Sequence, residues 1–189
     1  VVPFPQVPDA RLVERICAQD TSAEELLYRR YGLMLLNTTA RLLRSREQAQ
    51  DVVQDAFVIA LKDIATLREP DKVKSWLMCI AVSLVRKRLR KERLKAFLGI
   101  VDNRGIIPLD TWVSDGASIE ARAELAVLDR VISRLPVEQR LAWTLRNVEG
   151  EALDDVARAL GKSLASVKRY VAEADRRIRS HIELAKGQP

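Results

Sequence analysis

Apolar residues recur at steps of three and four in block after block of this chain, the spacing that gives a helix one buried face. Residues 1–8 hold three prolines and are expected to form an extended arm. Asp9 then stands where it can cap a short helix carrying Leu12, Val13 and Ile16. Thr21 or Ser22 can cap a longer one with Glu24 and Glu25 in its first turn and Leu27, Tyr31, Met34, Leu35, Thr38 and Leu42 along one stripe. Ser45 and Gln48 have the spacing of a capping box for a third helix, in which Val53, Ala56, Phe57, Ala60, Leu61 and Ile64 face inward. Asp71, after Pro70, can cap a fourth, with Val73, Trp76, Leu77, Ile80, Ala81 and Leu84 as its core side.

The periodicity stops between Gly99 and Ser118, where Gly, Pro, Asn and Asp gather. This reads as a linker, long for a compact domain, whose Ile106, Ile107, Leu109 and Trp112 are apolar enough to dock on a partner or on the chain's own helices. Helical spacing resumes with Leu125, Leu128, Val131, Ile132 and Leu135, stops at Pro136, and restarts in a helix where Leu141, Trp143, Leu145 and Val148 can pack beneath the last two helices. From Glu151 to Arg179 a short amphipathic helix, a break at Gly161-Lys162-Ser163 and a longer helix give the pattern of a helix-turn-helix. Leu153, Val156, Ala157, Leu160, Val167, Val171, Ala174 and Ile178 are its inward positions, and Ser163 is placed to cap the second helix. The expected architecture is all-α, with helical domains at 9–98 and 119–189 joined by a linker at 99–118.

Charge changes this picture at two helices. Asp51, Gln54, Asp55, Val58 and Lys62 share a second stripe of the third helix, either a solvated face or a docking face for a basic partner. Past Val85 the fourth helix is almost wholly basic, with Arg86, Lys87, Arg88, Arg90, Lys91, Arg93 and Lys95 opposed only by Glu92. Such a run repels itself unless an anion compensates it, so we read it as a ridge for phosphates, each cation adding a salt-sensitive increment of affinity. In the last helix pair, Lys162, Ala165, Ser166, Lys168, Arg169 and Tyr170 lie on or near the outer N-terminal part, where base edges and phosphates are met. The net charge of +6 agrees with a polyanion partner without proving one.

The remaining composition narrows the function classes. Hydrophobic residues make up 48% of the chain, enough for real cores, while sparse Gly, Pro and aromatics favour helices over sheets. Cys17 and Cys79 are far apart, each inside a helical pattern, and fit reduced, packed thiols of a cytosolic protein; with His181 the single histidine, neither a metal site nor a cofactor site is expected. There is no glycine-rich phosphate loop and no setting for a Ser or Cys nucleophile beside a histidine base, so an enzyme is not expected. No apolar run reaches the roughly 20 residues of a membrane span, and VVPFPQVPDA lacks the basic front of a signal peptide, so no direct membrane insertion is expected.

Three stretches then occur in a telling order: AQDVVQDAF, VKSWLMCIAVSLVRKRLRK and LPVEQRLAWTLRNVEGEALDDVARALGKSLASVKRYV. Together they resemble a bacterial RNA polymerase sigma factor of the extracytoplasmic-function group, which keeps only regions two and four; the likeness runs from about Leu26 to Ile182. The resemblance implies a promoter-recognition subunit with three contact surfaces. Asp51, Gln54 and Asp55 would face the clamp helices of the polymerase largest subunit. Ser83, Arg86, Lys87 and Arg90 would lie near the melted minus-ten strand, and Lys162, Ser166, Lys168, Arg169 and Tyr170 near the minus-thirty-five duplex. The linker would thread toward the RNA exit path. Promoter opening extrudes a base, at a cost of a few kcal/mol that region two would offset.

The resemblance also implies core RNA polymerase and promoter DNA as partners, and an anti-sigma factor that holds the chain inactive in the cytoplasm or at the inner membrane. The chain departs from the family pattern at Val82, Ser83 and Lys87, where Arg, Asn and Asp are usual, and at Arg169 and Tyr170, where Ser and Arg are. These changes imply an unusual promoter or weaker melting. The competing reading is an ordinary helix-turn-helix repressor or activator whose N-terminal helices dimerise or sense a ligand; it predicts a palindromic site bound without polymerase. A helical scaffold for protein partners would leave the basic ridge unexplained.

Overall fold

The computed structural model describes residues 7–98 and 118–186, so most of the expected arm and linker lies outside the described residues. Among the described residues the regular structure is helical: α1 (Asp9–Cys17), α2 (Thr21–Leu43), α3 (Arg46–Asp63), α4 (Val73–Phe97), α5 (Ile119–Arg134), α6 (Val137–Asn147), α7 (Leu153–Leu160) and α8 (Leu164–Lys186). Short 3-10 turns at Ile64–Thr66 and Pro70–Lys72 join α3 to α4.

The expected caps at the first two helices and the fourth are revised. Pro8 precedes α1 and supplies the carbonyl that the Leu12 amide meets at 3.1 Å. Asp9 is therefore inside the helix, and its carboxylate accepts from Arg30 Nη1 and from the Tyr31 hydroxyl, each at 2.5 Å, tying α1 to α2. Burial, followed by that carboxylate, pushes the Tyr31 phenol up to about 12. α2 is capped by Asp20 rather than Thr21 or Ser22: its carboxylate accepts from the Ser22 amide at 3.0 Å and the Ser22 hydroxyl at 2.7 Å. Ser45 caps α3 as its sequence position predicts, accepting from the Gln48 amide at 3.3 Å. Asp71 lies within the 3-10 turn, and α4 begins two residues later.

Two apolar clusters hold the molecule. The larger joins α1–α4 to α6–α8, with Leu12, Leu27, Leu35, Leu77, Leu141, Leu145 and Leu160 fully enclosed. Each such leucine contributes about 1.5–3 kcal/mol on removal from water, an upper bound because unfolded chains already bury some surface. The smaller sets Val131, Ile132 and Leu135 of the α5 end against Ala174 and Ile178 of α8. Trp143 lines that cluster and donates its indole N–H to Asp175 at 2.7 Å.

The principal surprise is α4. A single core side was expected, yet Met78, Val82 and Val85 are buried beside Val73, Leu77 and Ala81, while Trp76 and Ile80 are only partly covered. α3 and α2 pack on one part of this helix and α7 on another, so apolar residues on two faces find partners. Val148 is corrected the other way: it is half exposed at the end of α6.

Candidate nucleic-acid interface and docking face

α7 and α8 form the expected helix-turn-helix. Gly161 ends α7 with φ +56°, a left-handed conformation in which its own amide meets the Arg158 carbonyl and the Lys162 amide meets that of Ala157. Glycine adopts this conformation without the steric cost other residues meet. Ser163 then caps the next helix, its Oγ accepting from the Ser166 amide at 3.2 Å and donating to Ser166 Oγ at 2.9 Å. Ser166 is therefore engaged in the cap and half-buried.

Lys162, Lys168 and Arg169 are exposed along this N-terminal part of α8. Arg169 Nε lies 3.9 Å from Glu173, and its guanidinium stands 5.7 Å from the Tyr170 ring centre. Tyr170 itself is half-buried against the larger core. The outer surface of α8 is thus two lysines and a tethered arginine, with the tyrosine as a wall.

On α4 the predicted DNA-facing residues separate. Ser83 and Lys87 are exposed, and Arg90 is largely so. Arg86 is instead turned into the joint with the C-terminal helices: Nη2 donates to Glu138 Oε1 of α6 at 3.1 Å, and the side chain retains 17% exposure. Arg90 approaches the same oxygen at 3.6 Å. Arg88, read from sequence as part of the phosphate ridge, reaches back to α3 instead, donating to the Gln48 carbonyl at 2.9 Å and pairing with Asp51 at 3.2 Å.

Asp51, Gln54 and Asp55 are all exposed on α3, and Gln54 lies on the rim of an open groove between α2 and α3. Tyr28, Leu33, Leu36, Phe57, Val58 and Leu61 line that groove, with Tyr28, Leu33 and Val58 more than half exposed. Gly32 shapes it: a Cβ there would meet the Tyr28 ring at 3.4 Å, and that ring packs on Phe57 at a centroid distance of 4.9 Å. Sequence pattern puts Val58 of this groove on the same stripe as Asp51, Gln54 and Asp55, but does not mark Tyr28 or Leu33 of α2 as part of a docking surface. The exposed apolar side chains fall at the same helical spacing as core ones, so periodicity alone does not separate them.

Neither cysteine is in a disulfide; Cys17, expected to be packed, is exposed at the end of α1, and burial pushes the half-buried Cys79 thiol up. Among the described residues no group of His, Cys, Asp and Glu is arranged to hold a metal. No described helix is long and apolar enough to cross a membrane.

Comparison with known proteins places this geometry. The family model described as Sigma-70 region 2 matches residues 27–95, and that of Sigma-70, region 4 matches residues 125–178. The extracytoplasmic-function (ECF) RNA polymerase sigma factor SigM of Mycobacterium tuberculosis is 32% identical over 171 residues, covering 90% of this chain and 82% of its own. The RNA polymerase sigma-H factor of Pseudomonas aeruginosa is 29% identical over 175 residues, covering 89% and 91%. Two solved structures share the fold. CnrH in complex with the cytosolic domain of CnrY has a TM-score of 0.67 at 21% identity, covering 94% of this chain and 99% of that one. The sigma factor RpoE in complex with the anti-sigma factor NepR from Bartonella quintana has 0.65 at 19%, covering 84% and 96%.

Proposed function

This chain belongs to the extracytoplasmic-function group of RNA polymerase sigma factors, and from that premise we propose how its surfaces divide promoter recognition among them. It directs transcription initiation by bringing core polymerase to promoter DNA. The observation that carries this reading is the order of regions two and four along one chain, together with 32% identity to SigM across 90% of its length. An ordinary repressor or activator is not favoured, because its N-terminal helices would have no reason to match region 2 over residues 27–95.

The exposed α3 face of Asp51, Gln54 and Asp55 docks the clamp helices of the polymerase largest subunit, and the adjoining groove at Tyr28, Leu33 and Val58 receives apolar side chains from the same partner. Charge and apolar area side by side suit an amphipathic helical element. Ser83, Arg86, Lys87 and Arg90 follow the melted minus-ten strand. Lys162, Lys168 and Arg169 sit on the minus-thirty-five duplex, with Ser166 and Tyr170 shaping that surface from behind. The chain divides at 99–118 into two bodies, 9–98 and 119–189. It acts without chemistry of its own and in the cytoplasm. RpoE of Bartonella quintana was solved with an anti-sigma factor; a partner of that class would cover the α2–α3 groove here and would supply any membrane link.

The test is reconstitution. Purified chain added to core polymerase is expected to yield promoter-dependent transcripts. Asp51→Lys with Asp55→Lys is expected to abolish co-purification with core, whereas Arg88→Ala, which breaks the Asp51 pair but keeps the acidic face, is expected to bind. Undiminished binding by the doubly reversed variant would exclude the docking face.

A further inference from the structure

Arg140 of α6 carries a charge that the described residues leave uncompensated. Asp129 is the carboxylate that acts on it, and Asp129 is already held by Arg44. Burial, followed by Arg44 and Arg93, pushes the Arg140 guanidinium pKa down, yet a guanidinium does not give up its proton in a protein, so the charge stays. The side chain lines a recess between the end of α2, α5 and α6, with Arg41, Arg44, Asp129, Ser133 and Thr144 among its walls and about 350 Å³ of space counted to its mouth.

The charges around this recess do not balance. Arg41 is paired with Glu149 at 2.7 Å and Arg44 with Asp129, so three guanidiniums face two carboxylates. Arg93, exposed on α4, adds to the excess. Hydrogen bonding is short of acceptors as well: Nε of Arg44 and Nε of Arg140 are both enclosed without a partner. Arg44 is held at the C-terminal cap of α2 with φ +58°, a left-handed conformation that disfavours any residue with a Cβ. A water in the recess could accept from these groups but would bring no charge.

We propose that this recess is a binding site for a phosphoryl group, as inorganic phosphate or the terminal phosphate of a small phosphorylated molecule, with Arg140 as its principal cation and Arg44 as a second donor. The donors come from two separate elements, α6 and the end of α2, and a tetrahedral anion turns acceptor oxygens toward both, whereas a carboxylate keeps its two in one plane. Guanidinium forks match phosphate oxygens in pairs, and a dianion offsets the charge left over from Arg140 together with that of Arg93. A rotation of either guanidinium about its own stem presents its Nε to the anion. Helices wall the recess on three sides, which suits a small ligand better than a nucleic-acid backbone with its row of phosphates.

Calorimetric titration of the full chain with sodium phosphate measures this, at constant ionic strength and in the low millimolar range, where general salting-out of the unfolded state is weak. Saturable binding at one site is expected, with Tm rising as phosphate is added. Arg140→Gln is expected to weaken binding about ten-fold or more, the scale of one lost charge-assisted hydrogen bond, while Arg140→Lys keeps part of it and Arg11→Gln on α1 all of it. In phosphate-free buffer Arg140→Gln is expected to melt no lower than wild type, because it removes a charge that has no partner. A phosphate monoester binding more tightly than inorganic phosphate would identify a small phosphorylated molecule as the source, and equal binding the free ion.

The proposal is overturned by absence of phosphate binding, by equal binding in Arg140→Gln, or by acetate binding as well as phosphate. A lower Tm of Arg140→Gln without phosphate would also overturn it, since Arg140 would then be satisfied as it stands. Loss of core polymerase binding in Arg140→Gln without any response to phosphate would do the same, and would assign the arginine to an acidic protein surface.

Discussion

Asp20 sets the hand-over from α1 to α2 through one carboxylate. It accepts from Ser22 at the start of α2 and from Arg15 Nε at 2.8 Å at the end of α1, and these bonds hold its pKa at about 2, below the ordinary 3.8. A lowered folded-state pKa means that ionised Asp20 stabilises the fold fully above about 4 and stops doing so as pH falls through about 2. Asp20→Ala is therefore expected to lower Tm at pH 7, and the gap from wild type to close between pH 4 and pH 2; thermal melts across that range check it.

The exposed cations of α8 are the proposed contacts to duplex DNA. In holoenzyme, Lys168→Ala is expected to weaken promoter binding evenly across sequences and to lower the salt slope by about 1, whereas Arg169→Ala changes which sequences are preferred. Titrations at several salt concentrations on two promoters separate the two outcomes.

Among elements, α4 carries the most conflicting demands. Its first half is enclosed by α2, α3 and α7, and its second half is a basic ridge. Val82 has no exposed surface, although the family usually carries Arg at this place. Restoring it as Val82→Arg would leave a charge without a built partner in an apolar contact, at a cost of about 3–5 kcal/mol. Urea unfolding of the free chain measures this, and a change under about 1 kcal/mol, the scale of an ordinary surface substitution, would mean that α4 is readily uncovered.

The turn between α7 and α8 is the other element with a narrow tolerance. At Gly161 a Cβ meets only ordinary van der Waals distance, so Gly161→Ala is expected to cost about 1 kcal/mol through its positive φ alone.

At the scale of the whole molecule, the packing of α4 on α7 and the spacing of the promoter elements do not match. Elements named for positions ten and thirty-five are about 25 base pairs apart, or roughly 85 Å at 3.4 Å per pair. α4 and α7 are in direct contact here, so they cannot serve both elements in this arrangement. The stretch 99–118 can span at most roughly 70 Å at about 3.5 Å per residue, which makes its length a functional dimension. Deleting residues 101–110 halves that reach and is expected to abolish transcription while leaving core binding through α3 intact, as read by run-off assays beside co-purification.

Helices, inward stripes and the helix-turn-helix turn were legible in the order of residues, because each depends on contacts three or four positions apart and on one glycine. Even so, three helices were assigned caps that the fold does not use, since which residue stops just outside a helix depends on the amide it meets and not on its type alone. Three sets of residues needed the assembled chain: the second buried face of α4, the groove at Tyr28 and Leu33, and the pairing of Glu138 with Arg86 and Arg90. Glu138 is 52 residues from Arg86, and nothing local distinguishes it from a solvated glutamate in the first turn of a helix. The all-helical plan and its basic ridge belong to the sequence. Which cations face solvent and which are held by the chain's own carboxylates was decided only when distant helices came together, because charge pairing depends on proximity in space and not along the chain.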